Sequence, residues 1–186
     1  MTAIIVIVGL VAIVALVTMW IFNGMIRSRN RCDNAWSQID VQLKRRHDLV
    51  PNLVETVKGY AAHERGTLNA VVVARTNAMT AVQGGSIPQR AEAENVLSGA
   101  LKNLFALSEA YPQLKANQNF LALQEELSST EDRVAFSRQF YNDAVQRYNT
   151  MIQTAPRNLI ARRMNFGIRE FFTVTAAEQA PVTVQF

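Results

Sequence analysis

The sequence contains little cysteine, proline, glycine or charge. Its one cysteine, Cys32, excludes a fold that disulfide bonds hold together. Only 5 prolines and 8 glycines occur in 186 residues, which is too few for a turn-rich β-sandwich. Charged residues make up 18%, against roughly 25% in ordinary soluble proteins. Hydrophobic residues nevertheless reach 49%, which excludes a disordered chain.

The shortage of charge has its origin in one segment. Residues 3–22 carry no charged side chain, and only Gly9 and Thr18 interrupt the apolar run. A helix of this length spans about 30 Å, the thickness of the hydrocarbon core of a bilayer. The run lacks the basic start and the small-residue cleavage site of a signal peptide. We therefore expect an uncleaved transmembrane anchor over residues 1–26.

The residues that flank the run predict its orientation. Trp20 lies where interfacial aromatic residues are typical, and three arginines follow, Arg27, Arg29 and Arg31. Because positive residues stay on the cytoplasmic side, we expect the N-terminus outside and the rest of the chain inside, at a bacterial inner membrane. The three arginines are either a topology signal or a contact to anionic membrane lipid.

A seven-residue repeat of apolar residues predicts that the rest of the chain is helical. Two seams start at Trp36 and Ile39 and pass Pro51 without losing phase. This indicates one helix over residues 28–82, which Pro51 kinks without ending it. Three polar residues interrupt the seams: Arg46, Glu64 and Thr67.

Turn residues predict the ends of the other helices. Gly84-Gly85 ends the first helix, and Ser86 with Gln89 forms a capping box for a second helix over residues 88–110. The breaks at Tyr111-Pro112 and Pro156 bound the remaining elements, which are a long helix over 117–154 and a short basic segment over 157–172. Connections of about six residues imply antiparallel neighbours.

The predicted fold is therefore all-α, with an N-terminal transmembrane helix followed by an antiparallel bundle of long helices over residues 27–172. Residues 173–186 form an extended tail, whose last six residues alternate as in a strand. This hexapeptide is either a frayed end or an edge strand that adds to a partner.

A mismatch in helix length predicts self-association. The second helix is much shorter than the first, so an apolar stripe near the membrane lacks a partner in the same chain. We expect neighbouring copies to cover this stripe, which consists of Trp36, Ile39 and Leu43.

Residues suited to catalysis or metal binding are few. His47 and His63 would point to nearly opposite faces of one helix, and no second histidine completes an HExxH site. We expect a surface or capping role for both. Cys32 lies among arginines, which would lower its pKa, but no histidine is near it in sequence. We therefore expect no catalytic residue, no metal and no cofactor. The alternative is an enzyme whose site is assembled between chains from Cys32, both histidines and carboxylates.

Charge clusters have ordinary explanations in most of the chain. Lys44-Arg45-Arg46 has acidic residues at helical spacing, which predicts pairs within one helix. Glu125-Glu126 and Glu131-Asp132 are expected to be solvated. Four C-terminal arginines are less balanced by acidic residues, and they are candidates for docking to acidic lipid or to a protein: Arg157, Arg162, Arg163 and Arg169. No reader motif for nucleic acid accompanies them, so we expect no nucleic-acid partner.

Two long stretches resemble the bacterial LemA family. They are NAWSQIDVQLKRRHDLVPNLVETVKGYAAHERGTL, from Asn34, and YPQLKANQNFLALQEELSSTEDRVAFSRQFYNDAVQRYN, from Tyr111. The run after Pro156, the pair Phe171-Phe172 and the final hexapeptide are similar as well. Ala155 departs from the pattern, since family members commonly carry Phe before this proline.

The resemblance implies a single-pass anchor with a helical bundle and no enzymatic activity. It also implies an adaptor role, since such genes often accompany membrane metalloproteases. The prediction is thus a membrane-anchored scaffold that associates with itself and recruits partners, possible partners being membrane lipid and a membrane protease. The alternatives are a protein that organises membranes by binding anionic lipid, and the enzyme described above.

Overall fold

The computed structural model describes residues 1–173 and is all-α over that range, with an N-terminal apolar helix and an antiparallel bundle. This confirms the predicted fold class. The helices are α1 (Thr2–Lys58), α2 (Arg65–Gly84), α3 (Ile87–Ser108), α4 (Pro112–Lys115), α5 (Gln118–Gln153) and α6 (Arg157–Arg163). Residues 174–186, with the predicted strand-like hexapeptide, lie outside the described part.

The first predicted helix is two helices. As predicted, α1 continues through Pro51, but it ends at Lys58 and not at residue 82. The turn over residues 59–64 begins at Gly59, where Tyr60 N–H donates to the carbonyl of Val57 at 3.0 Å and tightens the last turn. The seven-residue pattern passes the break because the buried residues Val57 and Val71, one on each side of it, are two repeats apart. An apolar repeat alone could not reveal this turn.

The chain divides into two compact units, which we call the anchor unit and the bundle unit. Within the described residues, the anchor unit comprises residues 1–37 and 139–170, and the bundle unit comprises residues 38–138 and 171–173. Each unit has its own internal packing.

The bundle unit has one apolar core. α2 and α3 pack against each other as an antiparallel hairpin joined by Gly85 and Ser86. The predicted capping box is present, because Ser86 N–H donates to the Gln89 side chain at 2.9 Å and Gln89 N–H to the Ser86 hydroxyl at 3.5 Å. The core includes side chains from α1, α2, α3 and α5: Val50, Leu53, Val57, Val71, Leu97, Leu101, Leu104, Phe120 and Leu127.

The anchor unit begins with the membrane segment. The large apolar side chains of residues 4–20 are 50–70% exposed, and α1 has the length and mean hydropathy of a membrane-spanning helix. In water such a surface would be highly unfavourable, whereas lipid chains solvate it. Beyond this run, α1 buries every third or fourth residue: Ile21, Met25, Ser28, Cys32 and Ala35.

The expectation of an uncovered stripe at Trp36, Ile39 and Leu43 is wrong. Ile39 and Leu43 are 0% and 1% exposed within a single chain. The Trp36 ring packs edge-to-face on Tyr141, with centroids 5.1 Å apart. The prediction compared α1 only with the short α3, and α5 is long enough to supply the missing partner. Self-association itself stays a prediction, but it needs a different surface.

Candidate functional site

Three charged or titratable side chains are buried in the bundle unit. Arg46 is 2% exposed, His47 6% and Glu94 3%. Arg46 and His47 lie on α1, and Glu94 lies on α3. Burying a charge is costly unless the charge is paired and hydrogen-bonded, so such a cluster demands partners. With Ser98 and Glu131 these residues form what we call the ion network.

Glu94 lies between the two α1 side chains. Its Oε1 is 2.7 Å from His47 Nε2, and its Oε2 is 3.5 Å from Arg46 Nη1. One carboxylate therefore contacts both basic side chains, each through a different oxygen. This arrangement ties α1 to α3.

Arg46 also reaches α5. Its Nη2 lies 2.9 Å from Glu131 Oε2 and donates to the Ser98 hydroxyl at 2.6 Å. The Ser98 hydroxyl in turn donates to Glu131 Oε1 at 2.9 Å. Arg46 is thus bonded to carboxylates of two helices, and Glu131, at 46% exposure, places the edge of the network in contact with solvent.

Two more arginines join α1 to other helices. Arg75 on α2 donates from Nε to the backbone carbonyl of His47 at 2.7 Å. Arg45 forms an ion pair with Glu126 on α5. The prediction of pairs within one helix is confirmed for Lys44, whose Nζ is 3.1 Å from Asp48, but it is wrong for Arg45 and Arg46. Glu126 and Glu131 are partly solvated, at 37% and 46% exposure, and each also binds an α1 arginine.

A cavity of about 210 Å³ adjoins the network. Its lining includes Ser98 and Glu131, together with Leu101, Phe105 and Lys102. The Ser98 hydroxyl accepts a hydrogen bond from the guanidinium of Arg46 and donates one to the carboxylate of Glu131. The geometry favours a role in holding three helices together.

Sequence reasoning missed Glu94 and misplaced His47. The expected surface or capping role of His47 is wrong, since the ring is buried against Glu94. His63 is exposed, as expected, but it lies in the turn after α1 and not on the same helix as His47. The sequence did contain a signal for this pair. Glu94 lies on the apolar stripe of α3, three residues before Leu97, and Arg46 lies on the apolar stripe of α1. Opposite charges on two apolar stripes predict a buried ion pair.

The net pKa shift of Cys32 is opposite to the predicted lowering. The side chain is 0% exposed, and burial raises its thiol pKa. Arg169 acts in the lowering direction, but its effect is smaller than that of burial. A raised pKa and a buried sulfur are typical of an inert structural cysteine. Over residues 1–173, no group of three or more His, Cys, Asp and Glu side chains is placed to hold a metal ion.

The predicted membrane-interface residues all point outward. Trp20 is 65% exposed, and Arg27, Arg29 and Arg31 are exposed as well. The guanidinium of Arg29 lies over the Phe166 ring at 5.6 Å from its centroid. Side chains of this kind at the end of an apolar run fit the boundary between lipid and water.

The four C-terminal arginines have different surroundings. Arg169 is tied into the anchor unit: its Nη1 is 2.7 Å from Asp33, and its backbone N–H and C=O both bond the side chain of Asn149 at 2.9 Å. It is therefore a structural residue and not a free docking residue. Arg157 lines a surface cleft with Asp143 and is half-buried. Arg162 and Arg163 are exposed and remain candidates for docking.

Two buried tyrosines fasten the segment that follows α6. Tyr141 donates to the Glu170 carbonyl at 2.9 Å, and Tyr148 donates to the Gly167 carbonyl at 3.0 Å. Burial raises the pKa of both phenols, that of Tyr141 to about 12. They therefore act as neutral donors and not as acids near neutral pH.

Comparison with known proteins supplies the family. A model of the LemA family matches residues 35–186. Magnetosome protein MamQ 2 of Paramagnetospirillum magneticum is 27% identical over 169 residues, covering 78% of this chain and 62% of that protein. Protein LemA of Metamycoplasma hominis is 26% identical over 161 residues, covering 86% and 72%. Magnetosome protein MamQ of Magnetospirillum gryphiswaldense is 23% identical over 200 residues, covering 94% and 74%.

The chain spans 62% of the length of the Paramagnetospirillum protein. None of these names indicates a catalytic activity. The apolar α1 and the relatives together support membrane association. Because the family model covers far more than half of the sequence, the protein belongs to the LemA family.

Proposed function

We propose that this protein is a membrane-anchored scaffold that presents its helical bundle to partners and performs no chemistry of its own. The ion network carries the proposal. Arg46, His47 and Glu94 are buried in the bundle unit, where the Glu94 carboxylate contacts both other side chains. Their arrangement holds α1 and α3 together, and a scaffold needs such a rigid surface to bind a partner.

Exposed apolar side chains support a binding role for the bundle unit. Phe136 on α5 is 72% exposed, and Val73 on α2 is 57% exposed. Aromatic side chains, including Phe, are enriched in the cores of protein interfaces. Phe136 is thus the first position at which to seek a partner. The membrane metalloprotease implied by the resemblance is one possible partner.

The proposal places the bundle in the cytoplasm. Arg27, Arg29 and Arg31 supply the positive flank for that orientation. Self-association uses a surface other than the buried stripe around Ile39. The magnetosome names of two relatives describe those proteins alone.

Photo-crosslinking in intact cells tests the scaffold role. A photoreactive amino acid at Phe136 should give a discrete adduct with a membrane protein. The same group at Glu125, an exposed polar position on the same helix, serves as the matched control. No adduct at Phe136, or equal adducts at both positions, would contradict a partner at this surface.

The enzyme alternative is tested separately. His63→Gln should change neither stability nor any phenotype, and His47→Gln should act only through stability. Stoichiometric metal in the purified protein, or a lost phenotype in a stably folded His63→Gln variant, would favour the enzyme.

A further inference from the structure

A short stretch of the anchor unit combines exposed apolar and basic side chains. Leu159 is 69% exposed, Met164 51% and Ile168 67%. Arg162 and Arg163 are exposed between them. We call these five residues the α6 patch. Isolated exposed apolar residues are ordinary, but three within ten residues beside two exposed cations form an amphipathic surface.

Contacts along α1 locate this stretch relative to the membrane segment. Trp36 packs on Tyr141, and Asp33 binds Arg169. Further toward the N-terminus, Arg29 and Phe22 both contact the ring of Phe166. The anchor unit therefore brings the stretch around Phe166 to the end of the apolar run.

The contact between Phe22 and Phe166 sets the depth of the α6 patch relative to the bilayer. Phe22 is the last residue of the apolar run over residues 3–22, and the ring centroids of Phe22 and Phe166 are 5.8 Å apart. Phe166, Ile168 and Arg162 also line one cavity of about 260 Å³, which brings the apolar and basic parts of the patch together. Residues at this level meet the headgroup region, where apolar side chains enter a few ångströms and arginines meet phosphates.

We propose that the α6 patch is a second membrane contact, which inserts Leu159, Met164 and Ile168 at the lipid–water boundary and binds anionic headgroups through Arg162 and Arg163. The occupant is the same bilayer that α1 crosses. Lipid fits the patch because the patch is continuous with the apolar run and its two arginines complement anionic headgroups. The contact would fix the tilt and rotation of the anchor unit at the surface. It requires the membrane anchor of the proposed function but not a scaffold role.

Site-specific fluorescence in vesicles tests the contact. The full chain, with Cys32→Ala, receives one cysteine at a time through Leu159→Cys or Ile168→Cys, and each is labelled with an environment-sensitive dye. Vesicles contain phosphatidylcholine with phosphatidylglycerol, and some carry lipids with a nitroxide just below the headgroup. We expect blue-shifted emission and strong quenching by the nitroxide lipid at both positions.

Two control positions on α1 separate the possible failures. Ala12→Cys lies inside the apolar run and should be quenched by a nitroxide deep in the bilayer. Ser37→Cys lies about 22 Å beyond Phe22 along the same helix and should be quenched only from water. An unquenched Ala12 probe overturns both the anchor and this proposal. A quenched Ala12 probe with unquenched α6 probes overturns this proposal alone.

A separate part of the experiment tests the role of Arg162 and Arg163. Each arginine near an anionic surface strengthens binding about fivefold. Arg162→Gln with Arg163→Gln should therefore lower the ratio of docked to undocked patch by about 25-fold. Pure phosphatidylcholine vesicles should produce a similar loss with the unaltered arginines. If neither the arginine substitutions nor the removal of anionic lipid reduces the quenching, headgroup binding is overturned. A blue shift without nitroxide quenching would indicate a second copy of the chain on the patch and would overturn lipid as its occupant.

Discussion

The ion network gives the sharpest prediction on stability. Arg46→Met removes a guanidinium that is 2% exposed and leaves Glu94, at 3% exposure, with His47 as its remaining partner. Glu94→Met leaves Arg46 with Glu131, 2.9 Å away. Removing one member of a buried ion pair typically costs about 3–5 kcal/mol, because the other member stays buried without full compensation. Since Glu94 keeps His47, and Arg46 keeps Glu131 and Ser98, we expect about 3 kcal/mol for either single variant.

The double variant should cost less than the sum of the two. Arg46→Met with Glu94→Met replaces the central pair with apolar side chains of similar length, and such replacements are often neutral or stabilising. We expect the double variant to recover at least about 2 kcal/mol relative to additivity, as is typical for residues in direct contact. His47 and Glu131 lose a partner in the double variant, so full recovery is not expected.

Thermal unfolding of the full chain in nanodiscs, followed by circular dichroism at the helical band, measures these effects. A loss of about 3 kcal/mol corresponds to a fall of about 6–12 °C in Tm for a chain of this size. Lys44→Met is the matched control, because its 3.1 Å pair with Asp48 is 79% and 61% exposed. Exposed pairs of this type contribute about 0.3–0.5 kcal/mol. An Arg46→Met variant as stable as Lys44→Met, or strictly additive effects in the double variant, would refute the network.

Three further predictions use single positions. Because burial raises the pKa of Tyr141 from 10.0 to about 12, the stability that its protonated phenol contributes should be complete below pH 10 and fall as pH rises toward 12, and Tyr141→Phe should abolish this late step in an ultraviolet titration. Gly85→Ala should destabilise the hairpin, since a Cβ would lie 2.7 Å from a backbone carbonyl oxygen, whereas Gly99→Ala, with no atom within 4 Å, should stabilise α3 by up to about 1 kcal/mol in chemical unfolding. Cys32 should resist maleimide in the folded chain and react at once in denaturing detergent, and rapid labelling of the folded chain would contradict its burial.

The sequence predicted those parts of the fold that follow from local chemistry. The capping box at Ser86 and Gln89 is visible in the sequence because the bonded groups are three residues apart. The same holds for the continuity of α1 through Pro51, since the apolar period on both sides keeps one phase. The turn after Lys58 could not be predicted because its six residues leave the apolar repeat of α2 nearly in phase with that of α1.

The buried stripe of the anchor unit was harder to predict. A strict seven-residue count places Trp36 on the seam, whereas the buried residues are Ala35, Cys32 and Ser28. The buried positions up to Ala35 alternate between steps of four and three residues. The steps from Ala35 to Ile39 and from Ile39 to Leu43 are both four residues long, which breaks this alternation. Such a break rotates the stripe around the helix. Ser28 and Cys32 are too weakly apolar to reveal it without the packing of Tyr141 and Tyr148.

The three polar residues on the predicted seams show why such exceptions need separate explanations. Glu64 lies where the helix has already ended, and its carboxylate accepts a hydrogen bond from the Tyr111 hydroxyl at 2.9 Å, which raises the phenol pKa. Thr67 is half-buried on the first turn of α2, where a small polar side chain is tolerated. Of the three, Arg46 alone is fully buried, and it pairs with carboxylates on two other helices. A charged residue on an apolar stripe therefore predicts either a helix end or a distant partner of opposite charge. A matching charge on a second apolar stripe, such as Glu94 on α3, distinguishes the two cases by sequence pattern alone.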